Sequence, residues 1–201
     1  MIRYLALGDS YTIGEGVEPA ERWPARLAAE LRARGCTIGE PEIIAKTGWT
    51  TGELAARTAS GHPAGPYELV TLLIGVNDQY RGRPIEEYRR EFRALLGRAI
   101  GFAGGQPGRV IVLSIPDWGV TPDAAGRDRV AIADEIDAFN AVNGEEAVLT
   151  GARYVDVTGD SRAHPDEVVS DGLHPSGAQY ARWAALVLPT AMSALGLTPA
   201  G

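Results

Sequence analysis

The chain is 201 residues long, enough for one domain with a sizeable core, and its 45 % hydrophobic and 22 % charged residues are those of an ordinary globular protein. A formal net charge of -7 argues against nucleic acid or an anionic membrane surface as a partner, because both need basic patches. One cysteine, Cys36, excludes an internal disulfide, and no apolar run approaches the ~20 residues that span a bilayer. The N-terminus lacks the basic segment and apolar core of a leader peptide, so a cytoplasmic location is expected.

The apolar run Ile2 to Leu7 reads as a buried strand that stops abruptly at Gly8-Asp9-Ser10. Such a turn lies at the carboxyl edge of a sheet, where open α/β proteins bind ligands, so Ser10 is a candidate nucleophile. Trp23-Pro24 opens a helix with Leu27, Ala28 and Leu31 on one face, and Gly35 ends it. Glu42 to Ala45 is a short strand, and Thr50 or Thr51 can cap a helix over Gly52 to Thr58. Ser60 to Pro66 is a Gly/Pro loop that carries His62. Leu69 to Ile74 suits a parallel strand covered on both faces and ends in Gly75-Val76-Asn77-Asp78.

Pro84 opens the clearest helix, with Ile85, Tyr88, Phe92, Leu95, Leu96, Ala99 and Ile100 on one face and Gly104-Gly105 closing it. Val110 to Ile115 is the next strand, followed by a long polar loop from Pro116 to Arg127. Val130 to Leu149 reads as a helix, Ala152 to Val155 as a last strand, and Thr158 to Gly172 as irregular. Pro175 begins a final helix that Pro189 should kink or break. Strand and helix alternate about five times, the pattern of a single domain built on a parallel sheet with helices on both faces.

A serine nucleophile needs a base and a carboxylate that orients it. All three histidines, His62, His164 and His174, precede a proline, so the His-Pro pair discriminates nothing. His62 has no carboxylate at a useful spacing, whereas His164 follows Asp160 by four residues and is the rival. His174 follows Asp171 by three, with Gly172 able to fold the carboxylate back to the ring, which makes Asp171 and His174 the preferred pair. Stabilising an oxyanion requires donors aimed at the developing charge. The Gly48 backbone, the Asn77 side-chain amide and the N–H of Ser10 itself can supply them, although Gly48 and Asn77 are equally compatible with plain turns.

Gly8-Asp9-Ser10-Tyr11, Gly48, Gly75-Val76-Asn77-Asp78 and Asp171-Gly172-Leu173-His174-Pro175 together resemble, in order, the four sequence blocks of the GDSL-type or SGNH hydrolases, with Tyr11 where leucine is more familiar. The resemblance implies a flavodoxin-like, three-layer α/β/α fold with an about five-stranded parallel sheet. It also implies hydrolysis of carboxylic esters, in some members thioesters or lysophospholipids, with no cofactor and no metal. It casts Ser10 as nucleophile, His174 as base, Asp171 as orienting acid, and Ser10, Gly48 and Asn77 as the oxyanion hole. Asp9 and Asp78 fall outside that set and are expected to be structural. Tyr11, Trp49, Tyr80 and Trp118 either line a substrate wall for an acyl chain or a sugar ring, or pack beneath loops. The compact length and the lack of a lid insertion favour acetyl or short to medium acyl groups. Two rivals come from other classes. One is a receiver-like binding module with Asp9, Asp78 and Asp171 around Mg²⁺. The other is a nucleotide site at Gly14-Glu15-Gly16, which lacks the lysine and third glycine of phosphate loops.

Overall fold

The computed structural model describes residues 1–59 and 63–197 of the chain. Five strands, β1 (Tyr4–Gly8), β2 (Glu42–Ala45), β3 (Leu69–Leu73), β4 (Val110–Leu113) and β5 (Arg153–Val155), form one parallel sheet in the order β2-β1-β3-β4-β5. Every residue of β1, β3 and β4 is buried, which explains why these segments are continuous apolar runs and not alternating ones. The edge strand β2 is partly exposed, and Ile2, expected at the start of β1, makes only an isolated bridge to Ile38.

Helices cover both faces. On one, α2 (Trp23–Ala33) packs along α8 (Gly177–Ala194); on the other, α3 (Thr51–Arg57), α5 (Ile85–Phe102) and α6 (Arg129–Thr150) lie side by side. Two short helices, α1 (Ser10–Ile13) and α4 (Val76–Tyr80), begin directly after β1 and β3. The arrangement is the expected three-layer α/β/α sandwich. The order 2-1-3-4-5 reverses direction between β1 and β3, and that reversal opens a crevice at the carboxyl ends of these strands. The register sharpens the point, because Gly8 pairs with both Ala45 and Leu73. The ends of β1, β2 and β3 are therefore level, and the loops that follow them emerge side by side.

Three expectations need correction. Thr158 to Gly172 is not irregular throughout, since Thr158–Ala163 forms a helix, α7. The loop from Pro116 to Arg127 contains two 3-10 turns, Trp118–Val120 and Pro122–Ala124, and it buries Trp118 and Ala124. The last helix starts at Gly177, capped by the Ser176 hydroxyl, and runs through Pro189 without breaking. Pro189 and Ala185, whose carbonyl loses its usual donor, both lie on the exposed face, so that carbonyl is not buried unpaired. The loop segment 60–62, and with it His62, lies outside the described residues.

Candidate active site

Ser10 is the first residue of α1, immediately after the turn that ends β1. Asp9 caps that helix, its Oδ1 accepting from the Tyr11 N–H at 3.1 Å, and Gly14 closes it in the left-handed conformation. Asp9 is fully buried. Burial, opposed by the Tyr11 N–H and reinforced by the nearby charge of Asp78, pushes its carboxyl up to about 8. Its role is thus to build the turn that presents Ser10.

His174 is fixed by the residue three before it. Asp171 Oδ1 accepts from the N–H groups of Leu173 (2.8 Å) and His174 (2.9 Å), and Oδ2 lies 2.7 Å from Nδ1 of the His174 ring. Partial burial would raise the Asp171 carboxyl, but the hydrogen bonds from His174 and Leu173 outweigh it and hold the group below the ordinary carboxylate range. The loop is braced by a short antiparallel contact in which the Val169 N–H donates to the His174 carbonyl. With Nδ1 engaged, Nε2 is the nitrogen left to exchange a proton, and it has no protein partner among the described residues.

Ser10 and His174 line a common cavity of about 340 Å³, which Gly48 and Asn77 also line. Gly48 sits in a turn closed by the Trp49 N–H on the Lys46 carbonyl, at φ +83°, a left-handed position that favours glycine. Among the described residues the N–H groups of Ser10 and Gly48 donate to no protein acceptor. Asn77 uses one amide hydrogen on the Trp49 carbonyl at 2.9 Å and retains a second. Asn77 is placed by Gly75, whose φ of +126° and close approach to the Tyr88 hydroxyl and Ile115 exclude a side chain. Asp78, next to it, accepts from both the N–H (2.8 Å) and the hydroxyl (3.0 Å) of Thr51, and Thr50 forms a capping box with Glu53 at the start of α3.

The four aromatic residues named from the sequence divide. Tyr11, Tyr80 and Trp118 line the cavity; Trp49 does not, and reaches the site only through its carbonyl. Tyr11 is buried, with its ring 5.7 Å from that of His174 and 6.2 Å from Trp183. Tyr80 stands edge-on to Trp118 at 5.4 Å, and Trp118 donates to Gln79 at 2.9 Å. Leu173, Val76, Thr47 and Asp123 complete the lining, and none carried a signal of its own in the sequence. His164, the rival histidine, is not part of this lining; its Nδ1 meets the carbonyl of Asp160 at 3.0 Å, and the Asp160 carboxylate is held by Arg182 at 2.7 Å. Among the described residues no group of three or more His, Cys, Asp or Glu side chains converges in a way that could hold a metal ion, so Asp9, Asp78 and Asp171 do not form one.

The sequence model of the GDSL-like lipase/acylhydrolase family matches residues 6–182. The chain belongs to this family. Solved structures place the GDSL chain among related folds. TesA superposes with a TM-score of 0.76 at 22 % identity, covering 96 % of this chain and 99 % of its own. The acetylxylan esterase Axe2 from Geobacillus stearothermophilus gives 0.72 at 19 % identity, covering 98 % and 95 %. Phospholipase A1 from Streptomyces albidoflavus gives 0.67 at 20 % identity, covering 94 % and 98 %. At these identities the likeness is one of fold. Curated protein sequences yield no match to the GDSL chain. None of its described helices is long and apolar enough to cross a membrane.

Proposed function

We propose that this GDSL-family hydrolase cleaves carboxylic esters of acetyl or short acyl groups through an acyl-Ser10 intermediate. The observation that carries the reading is the 2.7 Å contact of Asp171 with Nδ1 of a histidine that shares one cavity with Ser10, Gly48 and Asn77. Ser10 Oγ attacks the ester carbonyl carbon while His174 Nε2 takes the hydroxyl proton. The tetrahedral oxyanion is held by the N–H groups of Ser10 and Gly48 and by the second amide hydrogen of Asn77. Nε2 returns the proton to the departing alkoxide as the ester C–O bond breaks. Water then attacks the acyl carbon, giving its proton to Nε2. The C–Oγ bond breaks, Oγ recovers the proton, and the carboxylic acid leaves. Asp171 keeps the ring in the required tautomer and offsets its positive charge.

Support for a short acyl group comes from the buried Tyr11 and Trp118, whose rings wall the cavity. One sheet and one contiguous core cluster support a single domain. Ser10→Ala should lower kcat on p-nitrophenyl acetate by at least about 10⁴-fold and abolish labelling by a fluorophosphonate. Retention of wild-type turnover by the Ser10→Ala protein would remove Ser10 from the mechanism.

A further inference from the structure

The segment that carries Gly48 is pinned to α4, one peptide at a time. The peptide joining Gly48 to Trp49 is held at both ends, with the Gly48 carbonyl accepting from Arg81 Nη2 at 2.7 Å and the Trp49 N–H donating to the Lys46 carbonyl at 3.2 Å. The next is also held at both ends, the Trp49 carbonyl by Asn77 at 2.9 Å and the Thr50 N–H by Glu53 at 2.8 Å. The third is held at its N–H, Thr51 to Asp78, at 2.8 Å. Arg81, Asn77 and Asp78 thus grip three successive peptides, and the first one left free presents the Gly48 N–H. Asn77 and Arg81 are four residues apart, which puts them on the same side of the helical turn.

We infer that Arg81 is a positioning residue that holds Gly48 in its oxyanion-donating orientation through the Gly48 carbonyl. The need for such a clamp follows from glycine itself. The missing Cβ that permits φ +83° also permits other conformations at little cost, so the turn alone does not hold the Gly48 N–H in place. A charge-assisted bond to the adjacent carbonyl removes that freedom. The competing role, an ion pair with Glu53, is weak by its own geometry: 3.4 Å, with both side chains about half exposed.

This inference rests on the reading of Gly48 as an oxyanion donor, and the test separates the two. Arg81→Met, Arg81→Lys and Glu53→Gln would be assayed on p-nitrophenyl acetate, with active sites counted by fluorophosphonate titration and an arylboronic acid as the tetrahedral mimic. Per active site, Arg81→Met should lower kcat by about 10- to 100-fold, below the ~10²–10³ of losing a donor outright. KM should stay within about twofold while the boronate Ki weakens by the same factor as kcat. Arg81→Lys, which keeps one charged donor, should recover most of the loss; Glu53→Gln, which keeps an oxygen for the Thr50 N–H and loses only the ion pair with Arg81, should stay within about twofold of wild type. Hydrogen exchange should quicken over residues 47–51 and not in the sheet. A wild-type kcat in Arg81→Met, a loss confined to KM, or an equal loss in Glu53→Gln would each overturn the role of Arg81. An active Ser10→Ala protein would instead overturn the serine mechanism and this inference with it.

Discussion

At the scale of single residues, Tyr11 is where the structure adds most to the sequence. It lines the cavity shared by Ser10 and His174 and also a small hollow of about 10 Å³, and Trp118 and Leu173 line both as well. Tyr11→Leu, which introduces the residue more familiar at this position, removes the ring from the cavity wall and should widen the cavity there for a longer acyl chain. The ratio of kcat/KM for p-nitrophenyl octanoate to that for the acetate is expected to rise by about tenfold. An unchanged ratio, whatever happens to the absolute rates, would place the acyl chain elsewhere. Ser10 was legible because it directly ends a buried apolar strand, whereas Gly48 and Asn77, each compatible with a plain turn, gained weight only by following strands of the same sheet. Asp171 and His174 were legible because their spacing is local. Arg81 was not, since nothing in a run such as Gln79-Tyr80-Arg81 shows that its guanidinium meets a carbonyl 33 residues away. Of the two readings left open for Trp49, its ring takes the packing one, and only its carbonyl reaches the site.

At the scale of elements, the central strands were read to within a residue or two because burial on both faces leaves a continuous apolar run, and α5 because its one buried face leaves a helical period. Failures came where tertiary packing overrides local chemistry. In α7, Thr158 and Ser161 would suit a loop, yet their hydroxyls join a buried network with Ser114, Asn140 and Asp117 that fixes a helical turn. In α8, a row of buried side chains, Trp183, Ala184, Val187, Leu188 and Ala191, holds the helix together on both sides of Pro189. That helix should therefore contain a remediable defect. Pro189→Ala restores a donor for the Ala185 carbonyl on an exposed face and adds no bulk to the core. It should stabilise the protein by about 1–3 kcal/mol, read as a higher urea midpoint with unchanged slope. A lower midpoint would mean that proline's restriction of the unfolded chain outweighs the missing bond.

At the scale of the whole molecule, buried carboxylates make stability depend on pH in two opposed ways. Glu146, buried between α5 and α6, is held below its ordinary value of 4.5 by hydrogen bonds from Arg93 and then Arg89, against the cost of burial. Asp171 is also held low, its hydrogen bonds outweighing its burial. Their contribution is present above their unfolded values and is lost as pH falls through the folded ones. Asp9 has the opposite sign. Burial raises it from 3.8 to about 8, so between those values the folded chain keeps a proton that the unfolded chain has released. Stability must then fall as pH rises through that window and level off above it. Asp78, also raised by burial despite its Arg83 partner, adds to the same decline. Thermal melts from pH 3 to pH 9 should show an acid limb, a maximum in the mildly acid range and a decline toward pH 8. Asp9→Asn keeps an oxygen for the Tyr11 N–H and carries no titrating proton. It should flatten the decline between pH 5 and pH 8 and leave the acid limb in place. Equal losses of stability in both proteins across that interval would show that Asp9 is ionised in the fold. A carboxylate beside Ser10 would then add a fixed negative charge near the proposed oxyanion, a field that would oppose the proposed reaction. A protonated Asp9 caps the turn without that penalty.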